Sequence, residues 1–519
     1  MTRRLLVATI LMSSTLATAS GRVTGSTISV AAGDDLQAAL DRARPGDTVL
    51  LAPGATYTGS FVLRAKDGGE PIVVRSATDD AKLPGPSDRI GPEAAGLLAT
   101  ITPAGAEPAL RTAPGAKGWR IVAIAFVGNG RARDLIALGD GSNAQGEARD
   151  IPSDLVLDRV LVLGDATAGQ KRGIALNSAS TTIKNSYIAE IKAVGQESQA
   201  IAGWNGPGPY TIENNVLQAA GVNILFGGAD PAVPDLVPSD IVIRHNVITK
   251  NLEWRGTPWT VKNLLELKNA RRVRIEGNRL ENCWSAAQPG YAVLFTVRNS
   301  GGHAPWATIE HVTFRDNVVR HAAGGVNILG SDSNHESRTA SDIAIVNNLF
   351  EDIDHHRWGG NGLFLQIGNA PAGVTVDHNT ILQTGSIMTA YGGKRGAWLT
   401  IPGFRFTNNV ARHNAYGIFG NGVGFGTKAI EAYLPGAVIT NNVLAGGPPN
   451  RYPAGNFFPS LAILLADFTD GDRSDYRLVA RSAFRKAASD GGDVGANFDA
   501  LTRAQATPDR STDHPGGAL

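Results

Sequence analysis

NLLELKNARRVRIEGNRLENCW, from Asn263 to Trp284, followed by AVLFTVRN from Ala292 to Asn299, is the stretch whose reading decides the fold. Its centre is Ile275-Glu-Gly-Asn278-Arg-Leu280: an apolar residue, two spacers, an Asn, one spacer and a second apolar residue. The same unit recurs with its fourth position at Ser186, Asn215, Asn246, Asn317, Asn348, Asn379, Asn409 and Asn442. Successive copies are 29 to 39 residues apart, a period that marks a solenoid or repeat array. The apolar runs inside each unit are short and rich in β-branched and aromatic residues, so they read as strands, and no long run of helical period separates them. A period near thirty without a helix gives one coil of three short strands and three turns, which predicts a parallel β-helix. A recurrent Asn in that setting predicts a ladder, each amide bonding to the Asn of the next coil.

Working outward, 519 residues would ordinarily mean several domains, but a solenoid buries its core between neighbouring repeats and needs no division. The 62 glycines suit a fold with three turns per coil. A net charge of +1 gives no electrostatic reason to expect a nucleic-acid or membrane-surface partner. The one cysteine, Cys283, excludes an intrachain disulfide. At the N-terminus Arg3-Arg4, an apolar run and Ala17-Thr-Ala19 read as a signal peptide over residues 1–19, so the protein is expected to be exported from a bacterium, either secreted or periplasmic, with no membrane span. One domain is expected over 20–501, with an N-terminal cap at about 27–50 and a closing segment at about 461–501. The polar residues 502–519 read as a disordered tail. In the cap, Asp34-Asp35 offers an N-cap to Leu36–Ala43, and Pro45-Gly46 stops that helix.

The opening segment DDLQAALDRARPGDTVLLAPGATYTGSFVL, with PIVVRSA after it, resembles the start of the pectin lyase-like superfamily of right-handed parallel β-helices. The resemblance is closest to the chondroitinase B and alginate lyase branch. It implies an all-β, right-handed parallel β-helix with an N-terminal capping helix. It also implies action on an acidic polysaccharide by β-elimination, with a Lys and an Arg on neighbouring coils and, in several members, a Ca²⁺ held by acidic or Asn side chains.

The chemistry-bearing residues lie upstream of the Asn motif. Leu265 and Leu267 point inward, so period two sends Glu266 and Lys268 outward, and Thr296 and Arg298 outward on the next coil. A cation pair beside carboxylates suits elimination from a uronate, where neutralising the carboxylate makes the C5 proton acidic. Lys268 is then the candidate base and Arg298 the neutralising group, with Asp230, Glu266 and Asp332 as candidate Ca²⁺ ligands. Trp254, Trp259, Trp284 and Trp306 lie in insertions beside this ladder and are candidates to stack on sugar rings, with Arg255 to hold a uronate. The expected function is a polysaccharide lyase acting as a monomer. Two alternatives remain on the same fold: a glycoside hydrolase with paired carboxylates, and a non-catalytic glycan-binding protein.

Overall fold

The computed structural model describes residues 25–506, so the signal-peptide expectation and residues 507–519 lie outside the described residues. Its strands form three long parallel sheets of 14, 13 and 13 strands. Each coil gives one strand to each sheet. In the reference coil Leu265–Leu267 joins the second sheet, Ala270–Glu276 the first and Arg279–Cys283 the third. Like residues stack: Ile243 pairs with Ile275 and Ile275 with Phe314. These side chains, with Leu265 and Leu267, are fully buried in one core that runs the length of the solenoid.

The Asn motif forms the turn between the first and third sheets, and its geometry explains its composition. The residue before each Asn takes a left-handed backbone, with φ between 50° and 64° from His378 to Gly277. Asn, Asp, His and Gly tolerate that region best, and these types occupy the position in every copy. The Asn itself is buried and satisfied. Asn278 Nδ2 donates to Asn317 Oδ1 at 3.0 Å and to Ile243 O at 2.8 Å. Asn278 Oδ1 accepts from the backbone N and the Nδ2 of Asn246, both at 3.0 Å. The pattern repeats from the Ser186 backbone N, which donates to Asn215, through to Asn442, and Asn456 then supplies a last acceptor.

The helix Leu36–Arg42 buries Leu36, Ala39 and Leu40 in the core of the first coil, and Asp35 caps it by accepting from Ala38 N at 2.9 Å. The C-terminal segment packs on the outside of the coils. It does not extend the coils but forms a helix, Leu461–Ala466, a hairpin of Phe468–Asp470 with Asp475–Leu478, and a final helix, Phe498–Gln505. Residues 502–505, read as disordered, belong to that final helix because Leu501 packs into an apolar cluster with outward residues of the third sheet, among them Leu349, Val410 and Val443. The Pro- and Gly-rich excursion near the N-terminus covers the same sheet further up, burying Leu83, Ile90 and Ala94 against Ala125 and Leu161. The two covers meet at His245, whose carbonyl accepts from Arg89 and whose Nδ1 contacts Ala504 O at 3.0 Å. The outward face of the third sheet is thereby sealed over much of its length, and the second sheet carries the cleft described next.

Candidate active site

The second sheet has outward columns that run from coil to coil. One column reads Leu225, Glu266, Leu294, Asn327, Gln366 in register. Glu266 therefore sits between two leucines, and it is only 2% exposed. The expectation of a carboxylate on an open face is corrected: it points outward but lies under Gln288 and Pro289 of the 284–290 insertion, which help wall a cleft of about 260 Å³. Lys268 and Arg298 open into the same cleft. They stand on neighbouring coils joined by a bond from Arg298 N to Lys268 O at 2.9 Å. Lys268 Nζ is 3.5 Å from Glu266 Oε1.

Three acceptor oxygens in the cleft wall are buried and have no protein hydrogen-bond partner among the described residues: Asn263 Oδ1, Glu266 Oε2 and Asn327 Oδ1. The Asn263 orientation is fixed, because its Nδ2 donates to Tyr291 O at 2.8 Å. A buried polar group without a partner costs about 1–3 kcal/mol, so three in one cleft form a surface built to receive hydrogen-bond donors or a hard cation. Tyr291 forms another wall. Its hydroxyl donates to Gln366 Oε1 at 2.9 Å and accepts from Asn361 Nδ2 at 2.8 Å, and burial pushes its ionisation up to about 12, so it stays a phenol.

The backbone of Asn263 is itself held from below. Lys250 is buried, and its ammonium donates to the carbonyls of Ala219, Ala220, Gly221 and Asn263, each at 2.9 Å. Beside the cleft stands Glu197. Burial pushes its carboxyl up, but the Lys268 and Lys262 charges and the bonds from Lys262 and Gln199 outweigh this and bring it down to about 2.

The other expected site residues are placed elsewhere. Asp332 is buried and spends its oxygens on Asn299 N at 2.8 Å, Asn334 N at 3.0 Å and Arg298 Nη1 at 3.3 Å. It is a brace for Arg298 and for its own loop. Asp230 Oδ2 accepts from Gly301 N and His303 N, both at 2.9 Å, and so pins the 300–306 insertion. Asp230, Glu266 and Asp332 are not brought together. Among the described residues no group of three or more His, Cys, Asp or Glu side chains is placed to hold a metal ion.

The tryptophans also need correction. Trp254 and Trp284, 4% and 5% exposed, pack with Trp358, Ala220 and Val261 in one cluster, with Trp259 against it, and Lys192 lies over the Trp254 ring at 5.6 Å. Arg255 lies over Trp284 and Trp358, at 6.0 and 5.2 Å from the ring centres, and donates to Arg357 O. Trp306 is half-buried and donates to Leu236 O at 3.0 Å, tying two insertions together. Sequence reasoning missed Asn263, Tyr291, Asn327 and Gln366. For Asn327 and Gln366 the signal was present, since they follow Glu266 and Leu294 in the same outward register.

The sequence matches the family described as right handed beta helix region over residues 172–447, more than half of the chain, and the protein belongs to that family. No curated protein matches it by sequence. Among solved structures it is similar to a PL6 family alginate lyase, AlyGC, at 14% identity and a TM-score of 0.56, covering 95% of this chain and 60% of that one. This chain thus spans well under two thirds of that enzyme. It is also similar to the catalytic unit of a GH87 alpha-1,3-glucanase from Streptomyces thermodiastaticus, at 14% identity and a TM-score of 0.52, covering 84% of this chain and 70% of that one. At such identities the likeness is one of fold.

Proposed function

We propose that the cleft performs β-elimination on a uronic-acid-containing polysaccharide outside the cytoplasm. The observation that carries this reading is the pairing of Lys268 and Arg298 on adjacent coils over a wall of unpartnered acceptor oxygens. Arg298, steadied by Asp332, is placed to bind and neutralise the uronate carboxylate, which makes the C5 proton acidic. Lys268, in its neutral amine form, takes that proton and becomes an ammonium. The C4–oxygen bond then breaks, a C4–C5 double bond forms at the new non-reducing end, and the departing oxygen takes a proton from solvent to leave as a hydroxyl. Asn263, Glu266 and Asn327 accept bonds from sugar hydroxyls.

The same three oxygens are of the kind a Ca²⁺ takes, two neutral amides and a carboxylate, and they replace the ligand set expected from sequence. Bound there, Ca²⁺ would add positive charge beside the substrate carboxylate. The hydrolase alternative needs two carboxylates flanking the bond. Among the described residues lining the cleft Glu266 is the one carboxylate, since Asp230 and Asp332 are bonded to backbone amides elsewhere.

The test is incubation of the purified protein with a panel of polyuronates, with Ca²⁺ and with chelator, while the ultraviolet absorbance of unsaturated uronate is followed. The reading predicts a rise with at least one polymer and none with Lys268→Ala. New reducing ends without that absorbance would establish hydrolysis instead. Binding without any product would establish a glycan-binding protein.

A further inference from the structure

Of the aromatic residues expected to carry sugar, Trp254 and Trp284 are buried and Trp259 and Trp306 half-buried outside the cleft lining, yet one aromatic side chain that no sequence pattern singled out stands on the outward ladder. Thr296, two residues before Arg298, is in register with Leu329, Leu329 with Gly368, and Gly368 with Tyr391. Tyr391 is half-buried. Its ring lies back over Gly368: a Cβ built on that glycine would meet ring atoms of Tyr391 at 2.3 to 2.5 Å. Gly368 is not in a left-handed conformation, so no backbone constraint demands a glycine there. Its missing side chain is the seat of the ring.

The seat is coupled to the cleft. The Gln366 side chain that accepts from Tyr291 also lies near the Tyr391 hydroxyl, and Tyr391 lies within electrostatic reach of Arg298. Gln366 and Arg298 both line the cleft. From the coil of Arg298 to that of Gly368 is two steps along the solenoid, roughly 10 Å at the usual strand spacing. A flat ring with one polar end suits the apolar face and rim hydroxyls of a pyranose.

We propose that Tyr391, seated on Gly368, is the platform of a second saccharide subsite, which holds the sugar next to the one bound by Arg298 on the C-terminal side of the cleft. This rests on the reading of the cleft as a polyuronate site. It makes the protein a binder of oligomers, with affinity that grows when a chain is long enough to cross from Arg298 to Tyr391. It also assigns the chain direction along the solenoid axis.

The experiment is calorimetric titration of the Lys268→Ala protein, which holds ligand without turnover, with sodium alginate and polygalacturonate and with oligomers of increasing length. Tyr391→Ala and Gly368→Ala are then added on that background. The proposal predicts that Tyr391→Ala weakens binding of the longer chains roughly tenfold, a typical worth for one aromatic contact, and leaves the shortest ligands unchanged. Gly368→Ala keeps the phenol but lifts the ring off its seat, so the same loss is expected, and it covers the case in which Tyr391→Ala fails to fold. Equal affinity of both variants and their parent at every length would overturn the platform while leaving the cleft reading intact. No binding of either polymer by the parent or by the unsubstituted protein would overturn both.

Discussion

The Asn ladder and the cleft use the same residue type at the same depth and treat it in opposite ways. Asn278 and Asn263 are both essentially inaccessible. Asn278 Oδ1 accepts two bonds and its Nδ2 donates to neighbours on both sides, so nothing is left over. Asn263 donates through its Nδ2, but its Oδ1 meets no protein donor, and Glu266 and Asn327 beside it are left in the same state. A buried group that is fully bonded holds the scaffold together. One that is buried without a protein partner is left to water or to a ligand, and three such oxygens gathered in one cleft favour a ligand. Burial alone would have ranked the two regions equally.

The largest effect that sharpens this contrast is expected at Lys268. Lys268→Ala should lower elimination by about 100-fold or more, the usual range for a lost proton-transfer group, with a smaller loss of stability because its charge also faces Glu197 and Glu266. Steady-state rates and a denaturant titration on the same sample check both halves. Next comes Lys250, which belongs to the scaffold although it lies directly beneath the cleft. Lys250→Met strands the carbonyl oxygens of Ala219, Gly221 and Asn263, while Ala220 O keeps its bond from Lys262 N, and roughly 3 kcal/mol of stability should be lost. Urea unfolding measures it, and an unchanged midpoint would contradict the assignment of this lysine to the frame.

A smaller effect is expected from Glu197, which sits at the border of the two regions. Its folded carboxyl ionises near 2 against an ordinary 4.5, so the unfolded chain binds the proton more readily between those values. The stabilisation is therefore complete above about pH 4.5 and is lost as pH falls toward 2. Glu197→Gln should flatten the stability profile in that window and leave the profile at neutral pH parallel to wild type. A profile of unchanged slope between pH 4.5 and 2 would show that the Lys262 and Lys268 charges do not hold this carboxylate as described.

Much of the scaffold was legible in the sequence, because a solenoid writes its period in the chain. The Ile-x-x-Asn-x-Leu unit located the turn, and its third position carried the left-handed conformation in its composition, as His245, Gly277 and Asp316 show. Parity along Leu265-Glu266-Leu267-Lys268 placed two cleft residues, and the thirty-residue step placed Arg298 beside them. The rest was not legible for a physical reason. Sequence nearness to a ladder does not say on which corner an insertion folds, so Trp254 and Trp284 were assigned to an open face when they pack against Ala220 and Trp358. Nor does it say which backbone amides a carboxylate will meet. Asp230 is consumed by the amides of Gly301 and His303 and Asp332 by those of Asn299 and Asn334, contacts that exist only once those loops are folded. Asn327 and Tyr391 were within reach of the register argument, which needed only to be carried one and three coils past Arg298.

The most direct test of the contrast is one paired measurement, the unfolding free energy of Asn278→Leu against that of Asn327→Leu. The first strands the Asn246 N–H and side-chain donors and should cost roughly 3 kcal/mol or more. The second removes an oxygen that has no partner and replaces it with an apolar group of similar size, so stability should hold within about 1 kcal/mol or rise. Equal losses in the two variants would contradict the account, because Asn327 would then be part of the frame and the cleft would lose its claim to be built for a ligand.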